Sequence, residues 1–239
     1  MSSAAIAIPA GSITSPIHLF RGNLKPQTNP HTAPTVFVVD EDVRVQRSLE
    51  RLISSQGWQP ETCDSSREFL ARPRAVVPSA LILAFSTNSN GLETQKRIAR
   101  EYAETPIVVV ADYEDIPTAV QAIKAGAIDF LVKPIIDEML LPAIRHGLAR
   151  SHAALNRWKE MHDLRQCYGS LSPREQQVMA LVVSGLLNKQ VGAELGISEI
   201  TVKAHRGQVM QKMKATSFAH LVNIGAKLRI TSTVISNVA

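Results

Sequence analysis

Long hydrophobic runs are missing from this chain of 239 residues. No stretch approaches the about 18 consecutive apolar residues that span a bilayer, and the first residues lack a basic segment followed by a hydrophobic core. Neither a membrane span nor a secretory leader is expected, and the protein is expected to be soluble and cytoplasmic. Cysteine is scarce as well. Cys63 and Cys167 are the only two, they show no CxxC or metal-ligand spacing, and both are expected to be reduced structural residues without redox or metal chemistry. Internal repeats are absent, which excludes a solenoid or propeller.

What is present is enough core material for two globular domains, with 45% hydrophobic and 20% charged residues. The net charge of +5 is unevenly spread. Residues 170–239 hold eight Lys or Arg against three acids, whereas residues 35–150 hold thirteen against sixteen. The basic end is the candidate for a nucleic-acid partner and the other end is net negative.

The basic end carries the densest pattern. Ser172, Pro173 and Glu175 form an N-cap, a first helical position and a capping-box partner. Val178, Leu181 and Val182 follow at helical spacing, and the stretch from Gly185 to Asn188 closes that helix. A second short helix, Lys189 to Leu195, turns at Gly196 into a third helix capped by Ser198. On that third helix Val202, Val209 and Met213 face inward, leaving Ile200, Lys203, Ala204, Gly207, Gln208 and Gln211 on the opposite face. Three short helices with cations on the last are the plan of a helix-turn-helix reader, whose exposed face enters the major groove.

The preceding part alternates apolar runs with amphipathic stretches: VFVV, Val43–Gln56, WQPETC, Ser65–Ala71, ALILA, Leu92–Tyr102, PIVVV, Ile116–Ala125, IDFLV and a last helix from Ile136. Five strands alternating with five helices imply an α/β fold, a doubly wound five-stranded parallel sheet, followed by the all-α helix-turn-helix domain. Nearly continuous apolar strands agree with a sheet covered on both faces, and functional residues should gather at the carboxyl ends of its strands. The expected boundaries are a disordered leader over 1–33, the sheet domain over 34–149, a helical linker over 150–169, the helix-turn-helix domain over 170–230 and a tail over 231–239. The linker reads as a solvated connector, or alternatively as a dimer stalk with a stripe of Leu148, Leu155, Trp158 and Met161.

These residues resemble a known family. LSPREQQVMALVVSGLLNKQVGAELGISEITVKAHRGQVMQKMKA is similar to a LuxR-type DNA-binding domain. VFVVDEDVRVQRSL, NGLETQKRI and DIPTAVQAIKAGAIDFLVKP are similar to a receiver domain. Together they resemble a response regulator of the FixJ/NarL class. The resemblance implies a phosphorylatable pocket, in which Asp40 and Glu41 fall on the acidic pair that helps hold Mg²⁺ and Lys133 on the lysine that neutralises the phosphoryl group. The chain departs from the pattern at the other positions. Ala84 stands where the phosphoacceptor aspartate belongs, Ala111 stands where a hydroxyl belongs, and the loop AFSTNSNGLE lacks the family proline and is about one residue short. No acid occurs between Pro78 and Leu92, and a hydroxyl such as that of Ser86 or Thr87 would need a base to take a phosphoryl group from an acyl phosphate. The receiver is therefore expected to be degenerate, with no cofactor and at most weak Mg²⁺ binding at Asp40 and Glu41. Lys133 is expected to pair with Asp40 or Glu41.

For the DNA domain the resemblance places base readers at Lys203, Ala204 and Gly207, the last without a side chain. Lys203 can donate to guanine, and Ile200 can meet a thymine methyl. Thr201, His205, Arg206, Lys189, Lys212 and Lys214 are expected at phosphates. On the final helix, Ser217 to Lys227, Leu221, Val222 and Ile224 are expected to divide between the core and a dimer surface, giving a homodimer on double-stranded DNA. The expected protein is a transcription regulator rather than an enzyme, independent of phosphorylation, whose receiver takes its input from a sensor kinase or a small-molecule ligand. The alternatives are a signalling interaction module acting as a decoy for a kinase or another regulator, and a regulator phosphorylated at an unexpected acceptor such as Asp40 or Asp112.

Overall fold

The structure is a computed structural model that describes residues 33–72, 76–86, 90–112 and 115–230. The leader, apart from Ala33, and the tail lie outside them, as does Thr87. The chain divides into two compact units near His152.

The first unit is a parallel sheet built from β1 (Thr35–Val39), β2 (Gln59–Cys63), β3 (Ser79–Phe85), β4 (Ile107–Ala111) and β5 (Ala127–Val132), in the order β2-β1-β3-β4-β5. Between them run α1 (Val43–Ser55), α2 (Ser66–Ala71), α3 (Gly91–Glu101) and α4 (Ile116–Lys124), and α5 (Asp137–Gly169) follows. β1 and β4 are buried at every residue, because helices cover both faces and leave no polar side to the strand. Alternate residues divide between two cores. Phe37, Val39, Leu81, Leu83 and Val109 pack with Phe69, Ile98 and Ala122, while Val36, Val38, Ala80, Ile82, Val108 and Val110 pack with Leu49, Ile53, Leu140 and Ile144. The strand period of two therefore feeds α2, α3 and α4 on one face and α1 and α5 on the other. β2 is the edge strand, where Pro60 interrupts no ladder that the sheet needs.

Side chains fix the helix starts. Asp42 accepts from the Arg44 amide, Ser65 from Glu68 and Asp115 from Thr118, each satisfying a donor that the helix leaves orphaned. Ser65 and Ser217, read from sequence as first helical residues, are caps one position outside their helices. Leu148 is a correction: it lies in the sheet core with 7% exposure and has no place in a partner-facing stripe with Leu155, Trp158 and Met161. Its anchoring is reinforced nearby, where the Ser79 amide donates to the buried Ser151 Oγ at 3.0 Å.

The second unit holds α6 (Pro173–Val183), α7 (Asn188–Leu195), α8 (Glu199–Lys212) and α9 (Phe218–Lys227). Its core joins Val178, Met179 and Val182 of α6, Val191 of α7, Val202 and Val209 of α8, Met213 just after it, and Leu221 and Ile224 of α9. The capping box at Ser172 and Glu175 forms as the sequence implies. Gly196 takes a left-handed φ of 66° and ends α7, which lets the chain reverse within a few residues. Gly192 is the tighter constraint, since a Cβ there would stand 2.7 Å from the Ile197 carbonyl oxygen. Gly192→Ala is expected to lower the stability of this unit by about 2 kcal/mol, because backbone must shift to admit the methyl; denaturant unfolding followed by circular dichroism measures it.

Candidate nucleic-acid interface and receiver pocket

α8 is organised as a reader. The Ser198 Oγ accepts from the Thr201 amide at 3.1 Å and fixes the first turn. Val202 and Val209 point into the core, and Ile200, Lys203, Ala204, Gly207, Gln208 and Gln211 are all exposed on the other face. Ile200 is 80% exposed, an unusual position for a large apolar side chain. Lys203 reaches back one turn to Glu199 at 3.2 Å. At Gly207 a Cβ would meet nothing within 4 Å, so the missing side chain leaves an open patch and relieves no crowding. Gly207→Ala is accordingly expected to stabilise the unit by about 1 kcal/mol, the helix-propensity difference at an unhindered site; thermal unfolding reads it.

The cations expected at phosphates separate into two groups. Lys189 in the first turn of α7 and Lys214 just beyond α8 are exposed. Thr201 is exposed too, its hydroxyl 2.8 Å from Ser198 Oγ, and His205 is half-buried. Lys212 and Arg206, in contrast, are engaged inside the unit. Lys212 Nζ donates to both carboxylate oxygens of buried Glu175, at 3.0 and 2.7 Å. The Lys212 hydrogen bond, with the backbone donor of Ser172 next, holds the Glu175 carboxyl below its ordinary pKa. That contribution to stability is present above the unfolded carboxylate pKa and is lost as pH falls through the lowered folded value. Arg206 donates to Asn188 Oδ1 at 3.2 Å and lies 4.4 Å from the Phe218 ring centroid, linking α7, α8 and α9 through a cation–π contact. These contacts hold α8 against α6, α7 and α9. Neither link was legible in the sequence, because Glu175 and Lys212 are 37 residues apart and no local period pairs them.

The final helix also requires a correction. Leu221 and Ile224 are 0% and 3% exposed within the core, so neither is available to a second copy. Of the three residues considered for dimerisation, only half-buried Val222 remains near the surface, beside exposed Ala219, Asn223 and Ala226.

In the first unit the residues expected at the pocket do converge at the carboxyl ends of the strands. Asp40 follows β1, Ala84 pairs with Val110, Ala111 pairs with Val132, and the Lys133 amide donates to the Ala111 carbonyl at 2.9 Å. Asp40 is 7% exposed; its Oδ1 accepts from the Asp42 amide and its Oδ2 from Lys133 Nζ, both at 2.9 Å. The second partner of Lys133 is Asp112 at 2.9 Å, whose side chain is 43% exposed. Glu41 is exposed and has no ion pair with Lys133, so of the two expected partners Asp40 makes the pair. Burial disfavours the charge on Lys133, and the hydrogen bonds it donates to Asp40 and Asp112 more than offset it, so the ammonium pKa is raised. This donor set does not fit a magnesium ion. Lys133 already compensates the buried carboxylate, Ala84 supplies no side-chain oxygen, and among the described residues no group of three His, Cys, Asp or Glu is disposed to hold a metal.

A receiver-like sheet joined to a helix-turn-helix unit defines a DNA-binding response regulator, and comparisons with known proteins agree. Residues 36–145 match the response regulator receiver domain, and residues 169–225 match the bacterial regulatory proteins of the luxR family. Nodulation protein W of Bradyrhizobium diazoefficiens is 41% identical over 206 residues, 86% of this chain and 91% of that protein. Transcriptional regulatory protein FixJ of Rhizobium meliloti is 35% identical over 191 residues, 80% of this chain and 94% of that one. The solved structure of response regulator StyR superposes with a TM-score of 0.73 at 41% identity, covering 82% of this chain and 99% of that chain. The chain belongs to the FixJ/NarL class of response regulators with a LuxR-type DNA-binding domain. No helix among the described residues is long and apolar enough to cross a membrane.

Proposed function

We propose that this response regulator is a sequence-specific transcription regulator that controls DNA binding without phosphorylation at the family position. The observation that carries the reading is the occupancy of the pocket: Ala84 at the acceptor position, Ala111 beside it, and the Lys133 ammonium bridging Asp40 and Asp112. A methyl group cannot accept a phosphoryl group, and the cation that would stabilise one already serves an internal ion pair. The bridge favours one preset conformation of the receiver, so any input must act through a differential contact of another kind, such as a sensor protein or a small ligand. The DNA readers in this account are Lys203, Ala204 and Gly207 with Ile200, and the positioning contacts are Lys189, Ser198, Thr201, His205 and Lys214 at phosphates. A homodimer acting in the cytoplasm completes the proposal, with Val222 and the exposed residues flanking it on α9 as the dimer surface. The protein is read as a regulator, not an enzyme.

The test is incubation of the full chain with a small acyl-phosphate donor and Mg²⁺, followed by intact mass and acid-lability analysis. No added phosphate is expected. A hydroxylamine-sensitive phosphate on Asp112, the half-exposed carboxylate on Lys133, would instead establish a substitute acceptor.

A further inference from the structure

The outward face of α8 is chemically unlike a lysine-studded reader. Its surface residues recur at the spacing of one helical stripe: Ile200, Lys203, Ala204, Gly207, Gln208 and Gln211, all exposed. Of the cations on this helix, Arg206 and Lys212 are engaged within the unit, and Lys203 is drawn toward Glu199 at the start of the helix. Along the row one turn apart, the groups are a sec-butyl side chain at Ile200, a methyl at Ala204 and a carboxamide at Gln208. Gly207 adds no side chain, so nothing beside Ala204 obstructs close approach of this row. From Ile200 to Gln208 the row spans about 12 Å at the helical rise, comparable with the major-groove width.

We infer that this row reads A·T pairs, with Ile200 and Ala204 packing on a thymine 5-methyl group and the Gln208 carboxamide addressing an adenine edge. The inference rests on the proposed sequence-specific DNA binding and names its readout. The thymine methyl is the apolar group that the major groove presents, and a carboxamide matches the adjacent donor and acceptor of adenine N6 and N7. Ile200 has no internal role that explains it: it is 80% exposed, it lies outside the core of its unit, and it stands on the helix that the fold dedicates to the groove. Burial against a thymine methyl removes apolar surface of both partners from water. Lys203, at the edge of the row, supplies a guanine contact next to the A·T pairs.

The experiment selects bound sites from random duplex DNA with the full chain, then replaces each thymine of the selected site by uracil, one position at a time. One thymine in a half-site is expected to be methyl-sensitive, with affinity falling about fourfold when its methyl is removed, the factor equivalent to one buried methylene. Ile200→Ala is expected to lose sensitivity at that position and keep any sensitivity elsewhere. The dependence of its affinity on salt should be unchanged, because no phosphate contact is removed. Gln208→Ala should relax the adenine preference next to that thymine. A site whose thymines are all indifferent to uracil, or an Ile200→Ala chain with the full penalty still in place, overturns this inference and leaves sequence-specific binding intact. Failure to select any site overturns the proposed function itself and the readout with it.

Discussion

Lys203→Ala is expected to weaken binding to the selected operator about 10- to 100-fold, the discrimination carried by one good lysine contact to a guanine edge. It should also relax the preference at the corresponding base pair. A phosphate contact behaves differently: Lys189→Ala or Lys214→Ala should weaken specific and non-specific sites alike and reduce the salt slope by about one counterion. The ion pair between Lys203 and Glu199 refines this expectation. Both side chains are exposed, so the pair is weak and yields to a base edge. Glu199→Gln should free the lysine and raise affinity modestly. Fluorescence-anisotropy titrations against operator and scrambled duplexes separate these cases. Equal losses on both duplexes for Lys203→Ala would assign that lysine to the backbone instead.

The second large effect is in the receiver. Lys133→Met leaves the Asp40 carboxylate, 7% exposed, with the Asp42 amide as its remaining hydrogen-bond donor. An uncompensated buried charge of this kind costs about 3 kcal/mol. Asp112→Asn should cost well under about 1 kcal/mol, since that carboxylate is half exposed and solvent screens it. The double variant Asp40→Asn with Lys133→Met should recover part of the loss, because both charges then leave together. The pH dependence has a definite sign. The Lys133 pKa is raised in the folded state, so its contribution is complete below the unfolded lysine value of about 10.4 and is lost as pH rises through the folded value. Between neutral pH and pH 9 the receiver should show no loss attributable to this group. Guanidinium unfolding of the full chain, read with probes in each unit, checks all three variants.

The fold was largely legible because local signals agreed with one another. Apolar runs marked β1, β3, β4 and β5, the caps Ser172 and Ser198 marked the starts of α6 and α8, and Gly196 marked the turn, whereas the capping roles of Asp42, Ser65, Asp115 and Ser217 emerged only in the structure. β2 was harder, since QPETC is polar, and an edge strand needs little apolar surface. The reading failed where a helical stripe serves two neighbours. Leu148 and Leu221 have the periodicity of a partner surface, but that same periodicity packs them on their own cores, and sequence spacing does not say which neighbour takes the stripe. It also missed pairs made by tertiary structure alone: Lys133 with Asp112, Lys212 with Glu175, and Arg206 with Phe218. Asp112 was visible as a carboxylate after β4. Its role as the second partner of Lys133 follows only once Ala111 and Val132 are paired across the sheet.

If the receiver sets DNA binding without phosphoryl transfer, as proposed, titration of the full chain on its selected operator will be indifferent to a small acyl-phosphate donor and Mg²⁺. Superimposable binding curves are the result expected from Ala84 and the bridged Lys133. A donor-dependent increase in affinity, accompanied by phosphate on the protein, would show instead that phosphoryl transfer controls binding.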